Sequence, residues 1–99
     1  MPLNVDLTSS GETATISLAE KFDFDSVEAF RESYHKYKVK EYVVDFRNTE
    51  YMDSSGLGML LNMRRDLADA STEIRLANCK PQIKKLLLIS RFETKFSIS

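Results

Sequence analysis

The residues with the most chemistry at the closest spacing are Asp53-Ser54-Ser55-Gly56-Leu57-Gly58, an acid, two hydroxyls and two glycines in one run. Three chemistries could use such a set. A serine nucleophile at a strand-to-helix elbow needs glycine two positions ahead of it. Asp53 stands there for Ser55 and Met52 for Ser54, so the elbow pattern fails. The only histidine, His35, lies between Tyr34 and Lys36 in a helical pattern, where a solvated surface role fits better than a catalytic base. Phosphate cradling needs Gly-x-x-x-x-Gly-Lys or Gly-x-Gly-x-x-Gly, and neither occurs. Metal ligation needs His, Cys or carboxylates at ligand spacing, and no such cluster is present in the sequence. No cofactor, no metal and no enzymatic activity are therefore expected. Asp and Ser are also preferred helix N-caps, and glycine permits close backbone approach, so a helix start is the plain structural reading of the run.

The elements that must position this run are written in the periodicities around it. Leu3, Val5 and Leu7 alternate with polar neighbours, as do Ala14, Ile16 and Leu18, and Ser9-Ser10-Gly11-Glu12 between them predicts a hairpin turn. Asp25 with Glu28 three residues on predicts a capped helix start, with Ser26 as the alternative cap. Val27, Phe30, Tyr34 and Tyr37 then draw one apolar stripe, and Lys36, Lys38 and Lys40 suit the negative helix end. Tyr42-Val43-Val44-Asp45-Phe46 is expected to be a strand covered on both faces.

The second helix is expected to start in the serine run and to end near Ala70. On a helical wheel Leu57, Leu60, Leu61, Leu67 and Ala68 lie opposite Ser55, with Arg64 intruding on that apolar sector. Met59 and Asn62 share the Ser55 side and Met63 lies beside it. The two methionines would either form an adaptable contact surface or finish the edge of the core. Ile74 to Asn78 is the next strand, Pro81 opens a third helix with Ile83, Leu86 and Leu87 inward, and Phe96 and Ile98 suggest a last short strand. The order β-β-α-β-α-β-α-β implies an α/β sandwich with a mixed, mainly parallel sheet, one domain over residues 1–99.

Composition narrows the partners. With 14 basic and 15 acidic residues and a net charge of −1, no positive field is available for nucleic acid or an anionic membrane. The single cysteine cannot form an internal disulfide. The longest apolar run, Leu86 to Ile89, is far below the roughly 18 residues of a membrane span, and the start of the chain lacks a signal-peptide pattern. A cytoplasmic domain is expected.

Tyr51 to Gly58 resembles the phosphorylation-site signature of the STAS family, specifically of bacterial anti-sigma factor antagonists. Val43-Val44-Asp45-Phe46 is similar to the strand preceding that signature, Leu76 to Pro81 to the family's later strand-to-helix step, and Phe22-Asp23-Phe24-Asp25-Ser26 to its Leu-Asp-x-x-Thr loop. The chain departs from the pattern at Ser90-Arg91-Phe92, where Ser-Gly-Leu is typical. The run as a whole is most similar to short proteobacterial members that work with a response-regulator-type partner.

The resemblance implies a partner switch. The unmodified form would bind an anti-sigma factor and free a sigma factor. A serine kinase, often the anti-sigma factor itself, would phosphorylate Ser55, with Ser54 the second candidate, and a PP2C-type phosphatase would reverse it. The alternative is a STAS interaction module in another signalling or lipid-transport assembly, with the serine unmodified. Asp23 and Ser26 are carried over from the family's loop and would share the partner surface with Asp53, Ser54, Ser55, Gly56, Met59, Asn62 and Met63. Free amides at the helix start are expected to accommodate the phosphate without unfolding the domain.

Overall fold

Along β2 (Thr13–Ser17), Ala14 and Ile16 are buried while Thr13, Thr15 and Ser17 are half-exposed, which separates the two faces of this strand. The computed structural model describes residues 3–68 and 71–99. β1 (Asn4–Leu7) pairs antiparallel with β2 through the predicted hairpin, where Gly11 takes a φ of 74°. β4 (Glu41–Asp45), β6 (Glu73–Ala77) and β7 (Ser97–Ile98) then add in parallel, giving the order β1-β2-β4-β6-β7. The strands from β2 onward advance in one direction across the sheet. Right-handed crossovers therefore place α1 (Val27–His35), α2 (Ser54–Asp66) and α3 (Pro81–Ile89) on one face. The expected mixed, mainly parallel α/β architecture is present. Among the described residues no helix is long and apolar enough to cross a membrane.

The helix-covered face is apolar. Ala14, Tyr42 and Ile74 stand in register on it, followed by Ile16, Val44, Leu76 and Ile98. Phe22 anchors the layer between, with its ring 5.0 Å from Phe30 and 6.1 Å from Phe46, both edge-on. The opposite face carries Thr15, Val43, Arg75 and Ser97 in register and no helix. The expectation that β4 is covered on both sides holds in the burial of Tyr42, Val43 and Val44, although no helix supplies the cover on the second face. Val43 is buried between its in-plane neighbours Thr15 and Arg75, and Arg75 is held by Glu41 at 3.5 Å.

Two helices differ from their predicted course. α1 stops at His35, so Tyr37, Lys38 and Lys40 lie beyond it. The Tyr42 hydroxyl reaches back from β4, 2.8 Å from the Tyr34 carbonyl oxygen and 2.9 Å from that of Tyr37. Its one proton is shared between these two carbonyls at the end of α1, in place of an amide that another helical turn would have supplied. In α2 the buried residues are Gly56, Met59, Leu60 and Met63, with Leu67 half-buried beyond the helix end, while Leu61 and Ala68 are exposed and Leu57 is half-buried. The buried stripe is therefore rotated away from the expected leucine face. The helix ends at Asp66, and the expected end near Ala70 lies outside the described residues. α3 buries Ile83 and Leu87 and half-buries Leu86 as predicted. It ends at Ile89 with Ser90 as its cap, and Arg91 just beyond sits in the left-handed region (φ 60°, ψ 34°), where the family's typical glycine would be unstrained.

Asp66, the last residue of α2, is tied to the end of α1. Tyr34 donates to its Oδ2 at 2.7 Å, and His35 Nε2 lies 3.7 Å from the same oxygen. The Tyr34 hydrogen bond, helped by the charges of His35, Arg65 and Arg31, holds the Asp66 carboxyl below its ordinary range against an opposing effect of burial. A depressed carboxylate stabilises the fold above its unfolded-state pKa and loses that contribution as pH falls through the folded value. Tyr34→Phe should therefore destabilise the chain at pH 7. The penalty should shrink once the pH drops below the ordinary carboxylate value of about 4, as urea denaturation at a series of pH values would read.

Candidate functional site

Two short strands that sequence periodicity does not reveal build the site. β3 (Lys21–Phe22) and β5 (Tyr51–Met52) form a separate parallel ladder, with Lys21 beside Tyr51 and Phe22 beside Met52. The Glu50 and Tyr51 amides both donate to the Glu20 carbonyl, at 2.8 and 3.1 Å, and the buried Thr49 hydroxyl donates to the Ala19 carbonyl at 2.9 Å. The next residue in each strand is an aspartate. Asp23 and Asp53 leave the ladder side by side, although 30 positions separate them in the chain.

Each aspartate caps the helical turn that comes after it. Asp23 is extended (φ −135°, ψ −164°) and its Oδ1 accepts from the Asp25 amide at 3.1 Å, opening a 3-10 turn over Phe24–Ser26 that runs into α1. Asp53 is extended likewise (φ −117°, ψ −168°), and its Oδ1 accepts from the Ser55 amide at 2.9 Å and the Gly56 amide at 3.3 Å. Of the expected caps, Ser26 does stand at the N-cap position of α1 but makes no side-chain capping bond there, and the capping carboxylate is that of Asp23, one turn earlier, not of Asp25. Ser26 instead donates its hydroxyl to the Lys21 carbonyl at 3.3 Å, fastening the turn to β3.

The Asp53 cap also corrects the expected anion seat. Two first-turn amides that a phosphate would have used are already bonded to the Asp53 carboxylate. An anion on Ser55 must displace that carboxylate or point outward beside it. Asp53→Ala should cost about 1 kcal/mol by loss of the cap, and Asp53→Asn much less, as measured by chemical denaturation.

The serines differ in setting. Ser54 is exposed and Ser55 half-buried, and neither hydroxyl makes a hydrogen bond among the described residues. Both are chemically available. His35 is not placed to act on them. It contacts Asp66, at the far end of the helix whose first turn holds Ser55, and eleven residues of helix at about 1.5 Å each separate Ser55 from Asp66 by about 16 Å. Burial pushes the Cys79 thiol up to about 11, which keeps it protonated and a poor nucleophile. Among the described residues no three His, Cys, Asp or Glu converge as metal ligands.

Met59 and Met63 are core side chains, so the expectation that they form a contact surface is corrected. They face inward because the buried stripe starts at Gly56. A β-carbon there would lie 2.5 Å from Met52 Cγ and 2.8 Å from the Phe22 carbonyl oxygen, so the absence of one lets α2 settle onto the β3–β5 ladder. Gly56 itself is buried and presents no side-chain surface. Asn62 is exposed, in a cleft of about 150 Å³ between α1 and α2.

Phe24 is the surface residue that pattern reading missed. It is 75% exposed, flanked by the capping Asp23 and by Asp25, and Tyr51 on the adjoining strand is 49% exposed. Both lie in the segments that carry the two caps. The available signal was an aromatic between two aspartates, out of step with the inward Phe22.

Comparison with known proteins places these features in context. The family model described as "Mlab, STAS domain" matches residues 5–98. A STAS-domain-containing protein of Pseudomonas aeruginosa strain UCBPP-PA14 is 43% identical over 94 residues, covering 93% of each chain. Among solved structures, the anti-sigma factor antagonist SpoIIAA in its unphosphorylated form superposes with a TM-score of 0.76 at 24% identity, covering 98% of this chain and 86% of that one. The Bacillus cell fate determinant SpoIIAA in the phosphorylated form does so with a TM-score of 0.72, again at 24% identity, covering 98% and 90%. Both structural likenesses are likenesses of fold.

Proposed function

The chain belongs to the STAS family, and from that membership we propose that it is a phospho-switched protein-binding domain, an anti-sigma factor antagonist whose partner face is centred on Ser55. The observation that carries this reading is the Ser55 hydroxyl: unbonded, in the first turn of α2, and beside a carboxylate that already holds the local amides. Phosphate adds roughly −1.5 to −2 charge and three acceptor oxygens. With the Ser55 and Gly56 amides engaged by Asp53, that charge is not taken up by these two groups and acts on whatever docks there. Asp23, Asp25 and Asp53 make the surroundings acidic, while Phe24 and Tyr51 supply the exposed apolar area that a protein contact uses.

In this reading the unmodified face binds an anti-sigma factor in the cytoplasm. A serine kinase, the anti-sigma factor or a companion, modifies Ser55. A PP2C-type phosphatase, linked to a response regulator, restores it, and this chain supplies no catalytic group of its own. The test is to isolate the chain from its cells, map phosphorylation by mass spectrometry, and identify proteins retained by the wild type and by Ser55→Ala. Phosphate on Ser55 and retention of an anti-sigma factor by both forms support the switch. No serine phosphate, with partners of another class, supports the unmodified interaction module instead.

A further inference from the structure

The solvent side of α3 carries a second surface. Pro81, Lys84, Lys85, Leu88 and Ile89 fall at i, i+3, i+4, i+7 and i+8, one stripe opposite the buried Ile83 and Leu87. Leu88 is 44% and Ile89 69% exposed, and the five residues border an open, shallow depression of about 510 Å³. No acidic residue occurs on this helix, and neither Lys84 nor Lys85 makes an ion pair among the described residues. Lys80, just before the helix, is taken up by Glu50 at 3.3 Å. Adjacent apolar side chains flanked by unpaired cations are thus left facing water on a chain whose net charge is −1.

We propose that this stripe is a docking surface for an acidic amphipathic segment of a protein partner, with Asp or Glu set against Lys84 and Lys85 and aliphatic side chains set on Leu88 and Ile89. The charge pattern selects that occupant. A second copy docking by the same face would bring two pairs of lysines into one interface, with no acidic residue on either helix to offset them. An anionic membrane surface calls for a cluster of about four to eight cations. Even with the exposed Arg91 the stripe offers fewer. The proposal does not rest on the role of Ser55, because no stripe residue belongs to the β3–β5 ladder or its caps.

The test is selection of a displayed library of helical peptides on the immobilised full chain, followed by affinity measurement and backbone NMR mapping of the enriched peptide. Enriched sequences should place Asp or Glu beside Leu or Ile at helical spacing, and the shifted amides should be those of α3. Lys84→Glu with Lys85→Glu, both exposed positions, should weaken binding at least ten-fold, and the peptide with its acids changed to lysine should recover it on that double variant. An enriched set without acids, equal binding by the charge-reversed peptide, shifts confined to other faces, self-association through α3, or tight binding to phosphatidylglycerol vesicles would each overturn it.

Discussion

Ser55→Asp is expected to lower affinity for the retained anti-sigma factor at least about thirty-fold, roughly 2 kcal/mol, while changing folding stability by less than about 1 kcal/mol. The two halves of that result have different physical origins. Within the chain, a carboxylate in the first turn of α2 is favoured by the helix dipole and opposed by the neighbouring Asp53, so the terms largely offset. At an interface the same charge must be desolvated, and the Ser55 and Gly56 amides, engaged by Asp53, do not offset that cost. Ser55→Ala removes a hydroxyl that makes no internal hydrogen bond, so it should keep both stability and binding within about threefold. Urea denaturation and quantitative pull-down of the variants read the two effects separately.

The largest effect on stability is expected at Gly56. Gly56→Ala should destabilise by about 1–3 kcal/mol. Its β-carbon would fall 2.5 Å from Met52 Cγ and 2.8 Å from the Phe22 carbonyl, and the second of these is backbone that cannot rotate away. Gly58→Ala, two residues on in the same helix, should instead stabilise by up to about 1 kcal/mol, because a β-carbon there meets nothing within 4 Å and alanine is the better helix former. Opposite signs from one chemical change, measured by denaturant midpoint, isolate packing from helix propensity. Gly56→Ala should also weaken partner binding, since α2 can relieve the overlap only by lifting from the ladder that aligns Asp23 with Asp53.

These sites show where local pattern is sufficient. The N-terminal hairpin, β4, β6 and the inward face of α3 follow from alternation and capping among neighbouring residues, and all were legible. The end of α1 was not, because it depends on a tyrosine hydroxyl arriving from β4. The orientation of α2 was not, because its leucines outweigh a glycine on any hydrophobicity count, yet the glycine determines which side approaches the core. The β3–β5 ladder is two residues long on each side, too short for any periodicity. For the site, Asp53 as a helix-starting residue was readable from type and position. Its occupation of the Ser55 and Gly56 amides and its alignment with Asp23 both required the fold.

The most direct measurement is calorimetric titration of the retained anti-sigma factor into two preparations of the chain, unmodified and fully phosphorylated on Ser55. The account predicts saturable binding to the unmodified chain and at least a thirty-fold weaker interaction after phosphorylation, about 2 kcal/mol, with the amides of Ser55 and Gly56 still bonded to Asp53 by NMR. Equal affinity for the two preparations would contradict it.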